Sequence, residues 1–485
     1  RIIRAAREMG IATVAVHSEA DVVAPHVLLA DEAVLLGPAP SSESYLRIDR
    51  ILEAARDTGA EAIHPGYGFL SERAPFARAV EEAGLVFVGP TADTIQSMGD
   101  KTEARRRMQA AGVPIVPGIV DPAASAEEAL AAAREIGFPV LLKAAAGGGG
   151  KGMRVVEEES SLARAFDAAR REAEAAFGDG SVYVEKYLGR PRHVEIQVLG
   201  DTHGNVVHLG ERECSIQRRH QKLVEEAPSP VLTSRERAAM GEAAVKAAAA
   251  VDYRGAGTVE FLYQDGAFYF LEMNTRLQVE HPVTELVTGL DLVHWQFRVA
   301  AGEALPFTQD DIRLQGHAME CRITSEDPAN GFLPSTGTIR FLQLPEGPGV
   351  RWDGGIAQGY EVGLHYDPLL GKLIAHGPDR ATAIARLRRA LDELVIDGVE
   401  TSIPFHRRLM DEADFRSGAL NIRYLEEHPE VLENGAGHES LRAAALAAVL
   451  LAEEARTAAA APRIQGSGSG GGMSSWRARG WPWAG

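Results

Sequence analysis

The sequence predicts an α/β protein whose central part is α+β, and three observations support this fold class. Helix and strand patterns alternate over residues 1–88, short strands with Gly, Asp and Asn turns dominate residues 181–273, and strands mix with one clear helix over 315–424. At 485 residues the chain exceeds what a single hydrophobic core usually supports. We therefore expect two to four domains.

Composition narrows the classes of protein that fit. Hydrophobic residues make up 45% of the chain and charged residues 24%, so sizeable cores are available. A formal net charge of -18 argues against a general nucleic-acid or anionic-membrane binder, because no diffuse positive field is present. The longest uncharged apolar run near the C-terminus, 443–452, is half the ~20 residues that a membrane span needs. Only two cysteines, Cys214 and Cys321, are present, which predicts a reducing, cytoplasmic location.

The first region, 1–98, has the pattern of a doubly wound unit. Residues 1–9 read as an amphipathic helix that ends at Gly10, and a β-branched strand follows over 11–17. Alternation of this kind predicts parallel strands joined by crossover helices. The first residue is not Met and the chain begins inside an element, so we expect the sequence to be truncated at its N-terminus.

The pattern changes at about Gly99. Helices are predicted over 101–111 and up to Arg134, and an apolar strand, 140–143, runs into four glycines at 147–150. Antiparallel strands and then the third region, with its helix over 380–394, complete the folded part. An Ala-rich helix (440–461), a Gly/Ser linker (466–472) and a segment with three of the five tryptophans end the chain.

Polar side chains occupy every second position from 272 to 280: Glu272, Asn274, Arg276, Gln278 and Glu280. In an extended strand this period places all five on one face. The face is either an active-site wall or a solvated strand of mixed charge. As a wall it offers metal ligands and, in Glu280, a base that Arg276 could keep ionised. His281, beside a proline, is expected to have a packing or hydrogen-bonding role.

Glu260 lies on the preceding predicted strand, across a turn at Asp265 and Gly266. Two carboxylates ~5 Å apart repel by about 3 kcal/mol at an effective dielectric of ~20, so their convergence indicates a cation. With Asn274 they offer the oxygen ligands that suit Mg²⁺ or Mn²⁺. A symmetric two-residue turn would place Glu260 opposite Leu271 and turn Glu272 to the other face. A shared metal therefore requires an odd-length loop or a β-bulge in this hairpin.

Two further segments carry possible anion-binding groups. Lys143 and Lys151 flank the glycines at 147–150, which indicates a phosphate-covering loop, although a plain linker fits the glycines too. The spacing is not that of a P-loop, since it fails at Ala145 and Gly152. Residues 217–222 form a basic cluster that is either an anion site or a solvated hairpin edge, with Glu211, Glu213, Glu225 and Glu226 near enough in sequence to neutralise it. Cys214 is expected to be a packed residue.

Several segments together resemble the biotin carboxylases of the ATP-grasp superfamily. The resemblance is collinear from Arg1 to about Tyr424 and is carried by the motifs at 64–72 (HPGYGFLSE), 98–101, 147–154, 185–188, 192–197, 213–222 and 272–284, with Arg322 and 326–328. It implies an N-terminal α/β domain (1–98), an ATP-grasp domain (99–305) with a mobile lid over about 115–187, and a C-terminal biotin carboxylase α/β domain (315–425). Residues 426–485 would then be a helix, a linker and the start of a further region.

The resemblance implies a ligase that carboxylates biotin with bicarbonate and ATP through carboxyphosphate. It assigns the catalytic residues as Glu280, Arg276, Lys222 and Arg322, with Gln278 and Val279 also positioning bicarbonate. Arg322 would stabilise the biotin ureido oxyanion. The divalent metals, Mg²⁺ or Mn²⁺, would bind Glu260, Glu272 and Asn274. The nucleotide would contact Lys101, Lys143, Gly148, Gly149, Glu185, Leu188, His193, Gln217 and His220.

The resemblance also implies partners: a biotinyl carrier domain, further copies of the chain in a homo-oligomer, and a carboxyltransferase subunit. No Met-Lys-Met acceptor is present, so the biotin must be carried elsewhere. An acyl-CoA carboxylase such as methylcrotonyl-CoA carboxylase is the expected assembly. This chain departs from the family pattern in two places: the first strand of the pattern is missing, and Ala145 and Ala146 replace a more glycine-rich or polar pair. Another ATP-grasp carboxylate-amine ligase, or a silent nucleotide-binding fragment, are the alternatives.

Overall fold

The computed structural model describes residues 1–119, 121–144, 153–177 and 179–433, with the isolated positions 449 and 452. Residues Arg1–Leu432 form one compact unit, which carries every element named below. The glycines at 147–150, the linker at 466–472 and the Trp-rich segment lie outside the described residues. Of the predicted helix over 440–461, only positions 449 and 452 are described.

The N-terminal region alternates short helices and strands, as predicted. Its elements are α1 (Ile2–Glu8), β1 (Val14–Ser18), α2 (Pro25–Leu29), β2 (Glu32–Gly37), α3 (Ile48–Thr58), β3 (Ala62–Ile63), α4 (Ala74–Glu82), β4 (Val86–Phe87) and α5 (Ala92–Gly99). β1 pairs with β2 and β3 with β4, both in parallel, but the two pairs are separate sheets. The parallel pairing is as predicted, and the described strands do not form one continuous doubly wound sheet.

The next part of the chain begins with a helix that has a side-chain cap, and a small unit of one sheet and two helices follows that helix. The Asp100 carboxylate accepts hydrogen bonds from the N–H groups of Thr102 and Glu103, which satisfies the free donors of the first turn. The elements are α6 (Lys101–Ala110), α7 (Ala126–Ile136), β5 (Val140–Ala144), β6 (Met153–Val156), α8 (Glu159–Phe177) and β7 (Val182–Lys186). The strands form an antiparallel sheet in the order β6–β5–β7, and α7 and α8 share its apolar core.

The middle of the chain supplies the long strands of the molecule. Its elements are β8 (Arg192–Gly200), β9 (Val206–Arg218), β10 (Gln221–Ala227), α9 (Ser234–Ala249), β11 (Gly255–Gln264), β12 (Ala267–Asn274), α10 (His281–Thr288) and α11 (Leu292–Ala300). α9 packs its apolar face against β8 and β9. A capping box between Thr233 and Glu236 fixes the start of this helix.

The last region contributes strands to a large sheet that also contains the long strands of the middle region. Its elements are β13 (His317–Thr324), β14 (Glu326–Asp327), β15 (Leu333–Pro334), β16 (Gly337–Thr338), β17 (Phe341–Gln343), β18 (Val350–Gly354), β19 (Glu361–Val362), β20 (Leu369–Gly377), α12 (Arg380–Glu393), β21 (Val395–Asp397), α13 (Ile403–Asp411), α14 (Ala413–Ser417) and α15 (Tyr424–Glu427). One antiparallel sheet of eight strands runs β12–β11–β8–β9–β10–β13–β20–β18. Residues far apart in sequence, on β8, β10, β11 and β13, are thereby brought into register.

None of the described helices combines the length and the apolar character that crossing a membrane requires.

Candidate active site

The β11–β12 hairpin contains the β-bulge that the sequence required for a shared metal. Its turn is the two-residue Asp265–Gly266, with φ values of 53° and 80°. The register is regular up to the pair Phe261–Phe270 and then shifts, so that Glu260 lies opposite Glu272. Leu271 is the extra residue of the bulge and is 41% exposed. The predicted bulge is therefore confirmed, and it places the two carboxylates side by side.

The prediction of one extended strand through position 280 is wrong. β12 ends at Asn274, and the next six residues form a loop that leads into α10. The Thr275 N–H donates to the Glu72 carboxylate, 3.0 Å away. In a longer strand this N–H would instead donate to a backbone carbonyl of a neighbouring strand. Glu280 is the N-cap residue of α10. The polar side chains converge because the loop folds them inward; Gln278 and Glu280 are buried.

Lys222 lies at the centre of this convergence. Its Nζ contacts three carboxylates: that of Glu195 on β8, that of Glu260 at 3.0 Å, and that of Glu280 at 2.7 Å. Burial alone would lower the pKa of the ammonium group, but the three carboxylates raise that pKa well above its ordinary value. Lys222 is therefore a permanent cation that holds three acids together.

The basic cluster at 217–222 lies at the β9–β10 hairpin, and of its residues Lys222 belongs to the central network. Arg219 and His220 form the turn between β9 and β10, with φ values of 49° and 68°. The four acids that were expected to neutralise the cluster pair with other cations, because their strands direct them elsewhere: Glu211 with Arg237, Glu213 with Arg192, Glu225 with Arg322, and Glu226 with Arg380. Lys222 is neutralised across the sheet instead.

Glu280 is 2% exposed and is held by two cations. Besides Lys222, the Arg322 Nη2 group donates to its carboxylate at 2.9 Å. Burial raises the pKa of Glu280, but Lys222 and Arg322 outweigh it and the net shift is downward. Arg276, which the sequence suggested for this task, bonds instead to Glu72 at 2.8 Å and to the Asn274 Oδ1 atom at 3.1 Å. The predicted base is ionised, but by different partners.

Glu260 and Glu272 differ in their surroundings although they are cross-strand neighbours. Glu260 interacts with Lys222, with His193 at 3.1 Å, and with the amide nitrogens of Asn274 and Gln278 at 2.8 and 2.9 Å. Burial opposes its charge, but Lys222 and His193 lower its pKa. Burial and then Glu260 raise the pKa of Glu272, with Lys101 acting in the opposite direction. Among the described residues, Glu272 has no ion-pair or side-chain hydrogen-bond partner.

A cavity of about 190 Å³ opens beside this unpartnered carboxylate. Lys101, Glu272 and Asn274 line it, together with Glu72 from the N-terminal region. A carboxylate pair with one uncompensated member, beside an open cavity, fits a hard divalent cation such as Mg²⁺. The Asn274 amide oxygen accepts from Arg276, so in this arrangement the amide bridges Glu260 and Arg276. Of the three predicted metal ligands, the two carboxylates, Glu260 and Glu272, are therefore the ones whose chemistry fits a divalent cation.

The remaining predicted nucleotide residues lie in several different parts of the structure. Lys143 approaches the Glu185 carboxylate at 3.9 Å, and Arg105 also contacts that carboxylate. Leu188 follows β7, and His193 on β8 joins the central network, where burial lowers and Glu260 raises its pKa to about 9. Gln217 and His220 lie at the β9–β10 hairpin. Gly148 and Gly149 lie outside the described residues. His281 is buried and bonds to the Gln278 carbonyl, and Cys214 is a buried free thiol, both as expected.

Sequence reasoning gave no role to Glu195 and Arg212, which hold the network in place. Arg212 is fully buried and donates to Glu195 and, at 2.6–3.0 Å, to Gln197, Thr258, Gln278 and Thr284. For Glu195 a local signal is present in the sequence: His193, Glu195 and Gln197 alternate with Val194, Ile196 and Val198 on β8. The period-2 argument that singled out residues 272–280 applies to this strand as well.

Comparison with known proteins agrees with this geometry. Three family models match: the biotin carboxylase N-terminal domain over residues 1–95, the ATP-binding domain of the carbamoyl-phosphate synthase L chain over 100–308, and the biotin carboxylase C-terminal domain over 320–427. The chain is 55% identical over 428 residues to a biotin carboxylase of Haemophilus influenzae, covering 88% of this chain and 95% of that protein. It is 54% identical to a pyruvate carboxylase subunit of Methanothermobacter thermautotrophicus, covering 88% and 87%.

A solved structure gives the same result for the fold. The biotin carboxylase domain dimer of Hydrogenobacter thermophilus 2-oxoglutarate carboxylase, crystallised with MgADP, ADP and bicarbonate, is 51% identical. It matches with a TM-score of 0.81 over 90% of this chain and 96% of that chain. The predicted fold class, α/β with an α+β centre and three biotin carboxylase parts, is thereby confirmed. The chain belongs to the biotin carboxylase family of ATP-dependent ligases.

Proposed function

We propose that this chain uses MgATP and bicarbonate to carboxylate biotin carried on a separate protein domain, by way of carboxyphosphate. The observation that carries the proposal is Glu280, a buried and ionised carboxylate between Lys222 and Arg322. Bicarbonate is a weak nucleophile, so it needs a base beside it and cations around it. Glu280 supplies the base and Lys222 the nearest cation, and a positioned base contributes typically 10²–10⁴-fold. The similarity to a structure that holds MgADP and bicarbonate supports the same substrates.

The nucleotide side of the site is proposed to hold the divalent cation on Glu260, Glu272 and Asn274. When bound by these residues, a divalent cation would neutralise charge on the phosphate oxygens. Lys101, which lines the same cavity as Glu272, is proposed to bind a phosphate as well. Lys143, Glu185, Leu188, His193, Gln217, His220 and the two glycines Gly148 and Gly149 are proposed as further nucleotide contacts. Glu185 already draws Arg105 and Lys143 together, so it orients cations at this side.

The other side of the site is proposed to bind the two small substrates. Arg276, Gln278 and the backbone of Val279 position bicarbonate with Lys222. Gln278 is fixed by Arg212 at 2.7 Å, and the Val279 carbonyl accepts a hydrogen bond from Lys372, so the loop is rigidly presented. Arg322 stabilises the ureido oxyanion that forms when the biotin nitrogen loses its proton. A guanidinium suits this task because it stays charged and planar.

The assembly forms the finer part of the proposal. The required partners are a biotinyl carrier domain and a carboxyltransferase subunit. The domain limits are those predicted from the sequence, with 99–305 as the ATP-grasp domain. A homodimer is proposed by analogy with the dimer named for the related Hydrogenobacter thermophilus domain. The acyl-CoA acceptor is proposed on the sequence resemblance. Relatives named for pyruvate and 2-oxoglutarate share the first half-reaction, so only reconstitution with a carboxyltransferase tests the acceptor.

The test is ATP cleavage by the purified chain, measured as ADP release with defined additions. Bicarbonate should stimulate cleavage, and free biotin should stimulate it further with formation of acid-labile carboxybiotin from labelled bicarbonate. A carboxylate-amine ligase would instead require an amine acceptor and ignore biotin. Cleavage that responds only to an amine would overturn the proposal, and a chain that binds MgATP without any turnover would favour a silent nucleotide-binding protein.

A further inference from the structure

Two buried glutamates lie directly behind Arg322, and the chemistry above leaves them without a role. Glu225 on β10 and Glu320 on β13 are cross-strand partners, and neither side chain is exposed. Arg322 is two residues after Glu320 on β13 and therefore projects from the same face. Its Nε group donates to Glu225 at 2.6 Å, while its Nη2 group donates to Glu280. The remaining nitrogen, Nη1, takes part in neither bond.

The carboxylate oxygens of this pair are short of donors. Within the described residues, Glu225 Oε2 and both oxygens of Glu320 accept no hydrogen bond. Two adjacent buried carboxylates repel each other when both are ionised, and a buried oxygen without a donor is costly. A proton held between the pair removes the repulsion and satisfies two of these three oxygens, because a carboxylic acid can donate to a neighbouring carboxylate.

We propose that Glu225 and Glu320 share one proton and, as a pair with a single negative charge, position Arg322 for the ureido oxygen of biotin. This inference rests on the proposed function. One charge is enough to hold the Nε side of the guanidinium. A second charge would compete with the substrate oxyanion for the same cation.

The electrostatic surroundings favour the shared proton. Burial raises the pKa of Glu320 well above its ordinary value, and Lys372 on β20 and Arg322 only partly oppose this. Burial also raises the pKa of Glu225, with Arg322 and Lys222 acting against it and Glu280 with it. Tyr67 and Cys321 also lie near the pair, and both are neutral at pH 7 because burial raises the pKa of each. The first proton therefore leaves Glu225, which has the guanidinium as its partner, and Glu320 keeps the second.

The shared proton predicts an alkaline limb in the pH–rate profile, that is, a fall in the rate of the biotin-dependent reaction as pH rises. As pH rises, the pair loses its shared proton, gains a second negative charge and draws Arg322 away from the substrate. Biotin-dependent carboxylation should then fall, whereas bicarbonate-dependent ATP cleavage without biotin should lack this limb. Because the comparison is made in the unaltered protein, it does not depend on whether a variant folds. Identical pH profiles with and without biotin would overturn the inference.

Two variants sharpen the test. Glu320→Gln is neutral at every pH, so it should abolish the alkaline limb. Glu225→Gln removes the single charge, and the ratio of biotin-dependent to biotin-independent ATP cleavage should fall about 10-fold or more. Glu226→Gln is the matched control, because Glu226 follows on the same strand, is also buried, and faces His317 and Arg380 instead. An unchanged limb in Glu320→Gln, or equal ratios in Glu225→Gln and Glu226→Gln, would contradict the proposal.

These outcomes are distinct from failure of the proposed function. If bicarbonate and biotin do not stimulate ATP cleavage in the unaltered protein, the proposed function fails and with it this inference. If they do stimulate it and the pH profiles coincide, only the role of the glutamate pair is refuted.

Discussion

The two ends of the acidic site differ in how their negative charge is neutralised. At one end Glu280 is flanked by Lys222 and Arg322, and its pKa is lowered. At the other end Glu272 has no ion pair with the described residues, and its pKa is raised by burial and by Glu260. The protein thus supplies its own cations at the proposed base and leaves a carboxylate uncompensated at the proposed metal site. Four changes to individual side chains or to pH test this contrast.

The largest effect is expected from Glu280→Gln. The amide keeps the shape of the side chain but cannot accept a proton, so bicarbonate-dependent ATP cleavage should fall by roughly 10²–10⁴-fold. Binding of MgATP, measured by titration calorimetry with a non-hydrolysable analogue, should stay within about 3-fold, because the change lies at the opposite end of the site. Near-normal turnover would remove Glu280 from the role of base.

Loss of the Lys222 ammonium group, which three carboxylates share, should lower the stability of the protein more than any surface change. Lys222→Met leaves the carboxylates of Glu195, Glu260 and Glu280 without their common ammonium, and breaking a buried ion pair costs about 3–5 kcal/mol. The free energy of unfolding in urea at pH 7 should fall by this amount. Lys246→Met, on α9 and away from the site, serves as the control and should change it by less than about 0.5 kcal/mol. Equal effects would show that Lys222 does not hold the network.

The pH dependence of that loss follows from the lowered pKa of Glu280. A carboxylate whose folded pKa lies below its unfolded value stabilises the protein above the unfolded value and loses that contribution as pH falls. The stability difference between the unaltered protein and Lys222→Met should therefore shrink as pH falls below about 4.3, the ordinary value for glutamate. Urea unfolding at a series of pH values measures it. A stability difference that grows as pH falls would contradict the assignment of Glu280 as ionised and Lys222 as its cation.

The smallest effect on stability, and opposite in sign, is expected from Glu272→Gln. Removing a charge directly opposite Glu260 relieves repulsion, so the metal-free protein should gain about 0.2–1 kcal/mol in chelator at pH 7. Because the folded pKa of Glu272 is raised, this gain should diminish as pH falls through that pKa and the unaltered side chain protonates. The Mg²⁺ concentration for half-maximal ATP cleavage should rise about 10-fold, since one of the oxygen ligands becomes neutral. A destabilised variant with unchanged Mg²⁺ dependence would contradict both expectations.

The sequence predicted those parts of the site that follow from local spacing. The need for a β-bulge or an odd-length loop followed from the turn and the requirement that Glu260 and Glu272 share a face, and the structure locates the bulge at Leu271. The end of β12 at Asn274 did not, because it depends on Glu72, about 200 residues earlier, whose carboxylate takes the Thr275 N–H. The period of 2 along residues 272–280 selected side chains that the structure brings close together, although three of the five lie in the loop after β12.

The electrostatic partners were harder to predict than the site residues themselves. Lys222 was expected to meet acids near it in sequence, yet its partners are on β8, on β11 and at the start of α10. Strand order decides this, and β10 lies between β9 and β13 in a sheet that spans two of the predicted domains. No local pattern specifies such an order. Arg212 was missed for the same reason, since its five partners come from β8, β11, α10 and the loop before that helix.

The most informative measurement for this contrast is Mn²⁺ binding, followed by electron paramagnetic resonance in the presence of a non-hydrolysable ATP analogue. Glu272→Gln and Glu280→Gln each remove one carboxylate charge, from opposite ends of the site. We predict that Glu272→Gln weakens Mn²⁺ binding about 10-fold or more, whereas Glu280→Gln leaves it within about 3-fold. Equal weakening in both variants, or weakening only in Glu280→Gln, would contradict the account.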